Sequence, residues 1–400
     1  MLAAFWIIAR SPALRVATTA LLATGLTYGA TLPFLSVVGI HEFGMSDGSL
    51  SLLLFAIAVA NLIYGVVLAI FSDMVSDRKP MLLSVLVAGM LGFGLIYLVP
   101  DLSVFVLCAI LLVPISNAAF SLIFAFVRNQ TLPLGAAESV QVNQIVRALF
   151  SGSWAIIPGV MAFWLATSPS MLPAWGFSAV VCVFAFLLIA VFMPRAKRDP
   201  EAPKVSFFES LAMATRGGIL ARITALSLVI SSSRLIAVVQ PLIIVGIAGG
   251  TIKDVGLIAG ACAALEIPSM LIWGALLRRL SVVQAMVSGA AIYAGFMALL
   301  SFASEPWHVY ALLLPNAFGV AAILSLPLTY YQNLLDGRPG LGTSLNQISA
   351  FLSNGFSAGT FALGAAWLGY AHSAWLGVAM VVVGCSWLLL LERQPSTVRA

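Results

Sequence analysis

Apolar residues run along this chain in twelve long stretches broken by short polar turns, and within the stretches they show neither the strict alternation of strands nor a one-sided helical stripe. Runs of about 20 apolar residues are the length needed to cross a bilayer as a helix. We place the spans at Val16–Ile40, Leu50–Phe71, Met81–Val99, Val104–Val127, Val140–Ala166, Trp175–Met193, Ile223–Ile247, Val255–Leu277, Val282–Phe302, Val309–Tyr331, Leu341–Leu368 and Ala374–Leu391. The pattern predicts an all-α membrane protein of twelve transmembrane helices.

Only three spans hold a charge well inside them: Arg147 in the fifth, Arg234 in the seventh and Glu266 in the eighth. An ionisable side chain in hydrocarbon costs about 2.5–3.5 kcal/mol on insertion scales, so such residues face a polar cavity or a partner and mark a transport path. The pattern therefore points to a polytopic transporter.

The longest polar stretch, Pro194–Gly218, divides the spans six and six. The expected organisation is an N-terminal half over residues 1–193, a linker over 194–218 and a C-terminal half over 219–400. Gln141-Val142-Asn143-Gln144-Ile145 in the fifth span is matched by Ser344-Leu345-Asn346-Gln347-Ile348 in the eleventh. The shared Asn-Gln-Ile tripeptide at equivalent places supports parallel six-helix repeats. Asn and Gln occur in spans two, four, five, seven, ten and eleven, whereas three, six and twelve have none and nine has only Gln284 near its cytoplasmic start. That segregation assigns the third helix of each triplet to lipid and the others to a central cavity or the seam between halves. Two six-helix halves with this segregation resemble the major facilitator superfamily.

Composition agrees. Hydrophobic residues make up 62% of the chain and charged ones 8%, against roughly 25% charged in soluble domains. Arg10, Arg15, Arg78, Lys79, Arg128, the Arg195 to Arg222 cluster, Arg278, Arg279, Arg338, Arg393 and Arg399 fall on the side of the termini, and the opposite loops carry only Lys253. By the positive-inside rule both termini are cytoplasmic. The net charge of +5 is thus a topogenic signal, and no basic patch interleaved with aromatics argues for nucleic acid. Leu2–Ala9 is too short to span and lacks a basic n-region, so no cleaved signal peptide is expected. Cys108, Cys182, Cys262 and Cys385 lie inside spans without metal-ligand spacing and read as packing residues; no metal or cofactor is expected.

The loop after the second span, Ser72-Asp73-Met74-Val75-Ser76-Asp77-Arg78-Lys79-Pro80, resembles the superfamily's cytoplasmic signature, with Ser76 in place of the usual Gly. The resemblance makes Asp73 and Arg78 gating residues: Asp73 ends a helix, where the dipole disfavours an anion, and its expected partners are Arg78 or the start of the eleventh helix near Gly340–Thr343. Ala264-Leu265-Glu266-Ile267-Pro268-Ser269-Met270, Phe124-Ala125-Phe126-Val127-Arg128, Tyr331-Gln332-Asn333-Leu334-Leu335-Asp336-Gly337-Arg338, and Arg147 followed by Ile157-Pro158-Gly159 are similar to the bacterial sugar efflux transporter family. This resemblance implies outward transport of sugars or glycosides by proton antiport across the bacterial cytoplasmic (inner) membrane, with a small-molecule substrate, protons and lipid as partners and a monomer as the expected assembly. Arg234 departs from the family, where a small polar residue is expected.

Sugar recognition needs hydrogen-bonding amides and charges together with aromatic faces. On the fifth span Asn143, Arg147 and Trp154 share a stripe with Gln144 beside them. Asn117, Arg234, Asn316, Gln347, Asn354 and Tyr28 complete the candidate substrate contacts. On the eighth span Cys262, Glu266, Met270 and Trp273 share a face. Glu266 is the candidate proton carrier, since burial favours its neutral form and a nearby guanidinium its charged one. The alternative is a permanent Arg234–Glu266 ion pair holding the seventh and eighth helices together. His41, His308 and His372 sit near external loop edges, and no metalloprotease, nucleophile-elbow or phosphate-loop motif occurs, so an enzyme is not expected. A multidrug or organic-anion exporter, and less so a lipid transporter or non-transporting sensor, remain open on the same fold.

Overall fold

The computed structural model describes residues 2–75, 77–131, 134, 136–194, 215, 217–334 and 339–393. Among the described residues, eleven helical segments are long and apolar enough to cross a membrane: Pro12–Glu42, Asp47–Leu68, Lys79–Leu98, Leu102–Thr131, Gln141–Leu165, Pro173–Phe192, Gly218–Gly246, Ile252–Leu276, Val282–Leu300, Leu313–Leu334 and Gly369–Arg393. The expected eleventh span forms a helix, Pro339–Trp367, of 29 residues, yet it is not among the apolar ones. Its reason is compositional: Asn346, Gln347, Asn354 and repeated Ser and Gly dilute its hydropathy. The fold is an all-helical membrane protein with the expected order of long helices.

Two compact units emerge. The first comprises Met1–Val38 with Val59–Pro203, and the second Gly39–Ala58 with Lys204–Ala400. The second long helix, Asp47–Met74, is therefore shared between them. Its early turns bond inside the second unit, with Ser51 Oγ donating to the Ala358 carbonyl at 2.6 Å and the Tyr370 hydroxyl to Asp47 at 2.5 Å.

Within the first unit the first helix packs on the fifth and sixth, and the third on the fourth and sixth. Within the second, the seventh packs on the eleventh and twelfth, and the ninth on the tenth and twelfth. These four pairs correspond when six is added to each number, whereas the packing of the eighth helix on the tenth has no counterpart of similar extent in the first unit. Large apolar side chains stay exposed along the sixth helix at Val180, Phe184, Leu187 and Val191, and along the twelfth at Val382, Val383, Leu389 and Leu390. Such faces suit hydrocarbon and would be costly in water.

Small residues set the closest approaches, as lipid supplies no hydrophobic drive between helices. A Cβ on Gly319 would lie 2.8 Å from the Tyr293 backbone nitrogen and Cβ, so the ninth and tenth helices meet almost backbone to backbone. Gly319→Val is expected to destabilise the second unit by about 1–3 kcal/mol through overpacking, read as a lower melting temperature in detergent. A melting temperature equal to that of the parent protein would show that the contact can open without cost.

Side chains at the helix ends add specific ties. Lys79 Nζ donates to the Ala190 and Met193 carbonyls at 3.0 and 2.7 Å, neutralising the negative end of the sixth helix. This basic residue is used inside the first unit rather than left as a solvated charge. At the end of the second unit bearing Lys253, the Tyr310 hydroxyl donates to Asp254 at 3.0 Å. Burial, reinforced by that carboxylate, pushes the Tyr310 phenol up to about 12.

Candidate transport pathway

In the first unit the fifth helix, Ala136–Leu165, turns Val142, Ile145, Val146, Ser153 and Ile157 into the core and leaves Gln144, Arg147 and Ser151 exposed on one stripe. Asn143 and Trp154 are half-buried beside it. Asn143 spends an amide proton on the Ser139 carbonyl one turn back, at 2.8 Å. Arg147 makes no hydrogen bond or ion pair among the described residues, so its guanidinium is open to whatever occupies the exposed side.

Asn117 and Tyr28 belong to a different place in the same unit. The Asn117 amide donates to Asn61 Oδ1 at 2.9 Å, and the Tyr28 hydroxyl lies 3.4 Å from the Asn117 carbonyl. Both line a water-sized cavity with Thr24, Thr27, Ser116 and Cys182, and the Tyr28 ring meets Phe150 edge-on. These groups join the first, second and fourth helices, and the space beside them would admit a water but no sugar. Tyr28→Phe removes one long hydrogen bond and is expected to cost under about 1 kcal/mol, with substrate KM unchanged in a flux assay. A large rise in KM would return Tyr28 to the substrate path.

In the second unit the eighth helix, Ile252–Leu276, holds Glu266 half-buried, its Oε1 accepting from the Cys262 thiol at 3.8 Å. Met270 is exposed, but Trp273 is buried, donating from Nε1 to the Phe318 carbonyl at 2.8 Å and stacking on the Phe318 ring. The expected shared face is therefore split: at about 100° per residue Trp273 comes back to within about 20° of the buried Cys262, whereas Met270 is turned about 80° away from it. Arg234, near the midpoint of the seventh helix, is exposed. Among the described residues Arg234 and Glu266 form no ion pair, and the Tyr293 phenol interacts electrostatically with both. The ion-pair alternative therefore lacks its contact.

The other candidates scatter. Asn316 is buried in the tenth helix, Gln347 is exposed and Asn354 half-buried on the eleventh. Arg78 Nε donates to the Ser72 carbonyl at 3.3 Å, which ties the turn after the second helix to itself. The Asp73 side chain and the residues near Gly340–Thr343 lie outside the described side chains, as does the 195–214 part of the linker.

Sequence reasoning missed a polar cluster in the second unit. Arg222, 6% exposed, donates from Nε to Glu392 at 2.9 Å and from Nη1 and Nη2 to the Gly218 and Leu391 carbonyls. Tyr330 donates to the same Glu392 oxygen at 2.7 Å. Beside it a hydroxyl chain links the Tyr331 phenol to Ser349 Oγ at 2.9 Å and Ser349 Oγ to Ser227 Oγ at 3.0 Å. Complementary charges near the two helix ends were the available signal, but 170 residues separate them, a spacing no local pattern links.

No family model matches the chain. A protein of Deinococcus radiodurans described as a sugar efflux transporter is 27% identical over 390 residues, covering 94% of this chain and 97% of the relative. Sugar efflux transporter A of Dickeya chrysanthemi is 28% identical over 326 residues, covering 80% and 81%. Among solved structures, the nucleoside transporter NupG superposes with a TM-score of 0.78 at 12% identity, covering 96% of this chain and all of that one. A POT family peptide transporter superposes with a TM-score of 0.74 at 12% identity, covering 96% and 98%. The resemblance to sugar efflux transporters therefore extends over most of the chain, and the fold is the major facilitator fold. The proteins it resembles are transporters rather than enzymes.

Proposed function

We propose that this integral membrane protein is a secondary active transporter that exports sugars or glycosides across the bacterial inner membrane by proton antiport, working by alternating access. The observation that carries the reading is the state of the three charges inside the spans. Arg147, Arg234 and Glu266 each keep accessible surface, and within the second unit Arg234 and Glu266 form no ion pair among the described residues. Charges held in the depth of a membrane without mutual neutralisation need water or a ligand against them, which a transport cavity supplies. The sugar assignment comes from the names of the relatives, and the polar stripe of Gln144, Arg147 and Ser151 offers the amide, guanidinium and hydroxyl groups that sugar hydroxyls bond.

In this reading each half carries six helices, the 194–218 segment connects them and both termini face the cytoplasm, consistent with the distribution of Lys and Arg. Glu266 takes up a proton on one side and releases it on the other. Its setting suits that task, since a half-buried carboxylate with only a thiol for a hydrogen-bond donor is held charged by nothing strong.

Everted membrane vesicles test the proposal. With the interior acidified, they are expected to accumulate labelled lactose or a methyl glycoside, and a protonophore should abolish the accumulation. Accumulation that ignores the pH gradient would remove the antiport, and none for any sugar or glycoside would remove the sugar reading.

A further inference from the structure

We propose that the sugar carried by this protein bears an anionic group, a carboxylate or a phosphate, and that Arg234 receives it. The inference rests on the transport reading above and names its substrate class.

Arg234 stands near the midpoint of a 30-residue helix, too far from either end for its side chain to reach an interface by snorkelling. Unlike lysine, arginine cannot escape the cost of the membrane interior by giving up its proton, because its guanidinium stays charged in any protein setting. The positive charge is permanent and must be answered by something.

The surroundings do not answer it. Ser231, Ser232 and Ser233, the three residues before it, each turn their hydroxyl back to a carbonyl of their own helix, at 2.6, 2.6 and 2.8 Å. Glu266, the carboxylate of the neighbouring helix, engages Cys262 instead. Tyr293 is the electrostatic neighbour of Arg234, and a phenol on the buried ninth helix, 2% exposed, brings no full negative charge. Among the described residues no carboxylate or carbonyl accepts from the guanidinium, and Arg234 remains accessible.

A planar fork of five donors without an acceptor matches the two oxygens of a carboxylate or phosphate, which it binds in bidentate fashion with charge assistance. A neutral sugar does not need this. Its hydroxyls are served by amides and hydroxyls, which bring both donors and acceptors and cost far less to hold in a membrane. Retaining a permanent cation where a small polar residue would serve a neutral ligand has a physical return only if the ligand supplies the opposite charge.

Counterflow in proteoliposomes tests this with four labelled probes: glucuronate and glucose 6-phosphate against glucose and lactose. Wild-type protein is expected to exchange at least one anionic sugar faster than either neutral one, and the pair of anionic probes tells carboxylate from phosphate. Arg234→Gln should lower anionic exchange by about tenfold or more, as loss of a charge-assisted bond does, a loss several times larger than that of neutral exchange. Arg234→Lys, which keeps the charge but not the fork, should fall between. Melting temperatures of the variants check folding; if Arg234→Gln is poorly folded, the wild-type preference and the Arg234→Lys result decide. Exchange of glucose or lactose with neither anionic sugar accepted would overturn the inference and leave the transport reading intact. Equal loss of both classes in folded Arg234→Gln would also overturn it, and exchange of no sugar at all would overturn both.

Discussion

Glu266→Gln is expected to abolish sugar accumulation driven by a pH gradient while leaving sugar exchange between equal pools near the wild-type rate. Glutamine keeps the shape and the hydrogen-bonding capacity but cannot carry a proton, and exchange requires no net proton movement. The structure sharpens this expectation, because Glu266 is not paired with Arg234 and its loss strands no buried cation. The variant should therefore express and melt like the parent protein. Measuring exchange, gradient-driven flux and melting temperature on this one variant separates the outcomes. Normal gradient-driven flux would make Glu266 a passive lining residue, whereas a collapse in melting temperature would point to a structural bond.

Arg222→Ala has the largest expected effect on stability. Removing the guanidinium leaves Glu392 with only the Tyr330 hydroxyl, frees the Gly218 and Leu391 carbonyls, and unties the seventh helix from the twelfth. Breaking a buried charge pair from one side costs about 3–5 kcal/mol, and the lower end applies because the Glu392 side chain retains 35% exposure. Tryptophan fluorescence during thermal unfolding in detergent reads the effect. Glu392→Gln should cost clearly less, since an amide can still accept from both Arg222 and Tyr330. Equal and small losses in the two variants would show that the cluster is a solvated surface contact.

The membrane class and the order of the long helices were legible in the chain. Bilayer thickness imposes a length, and lipid imposes a near-absence of charge, so both leave marks that one sequence shows by itself. The eleventh helix illustrates the limit of that signal. Its Asn346, Gln347 and Asn354 make it too polar to stand out as a span, yet it forms and packs on the seventh and tenth helices of its unit.

Candidate residues divided along the same line. Arg147, Arg234 and Glu266 announced themselves, because a charge in a span is rare enough on energetic grounds to be read directly. Which of them touch was not readable. Helical periodicity put Trp273 on the face of Glu266, and the core took it toward Phe318. Polar side chains inside spans offered Tyr28 and Asn117 as sugar contacts, and packing closed them around a water-sized space. The Arg222–Glu392–Tyr330 cluster left only isolated charges near helix ends, which nothing in the chain links because they lie 170 residues apart. The sequence by itself determined that this protein spans a bilayer, in which order, and which charges lie inside it, because those properties are set locally by the transfer cost of each segment. Only the tertiary structure decided which polar groups satisfy one another and which stay open to a ligand, because hydrogen bonds and ion pairs depend on ångström distances between helices that no spacing along the chain encodes.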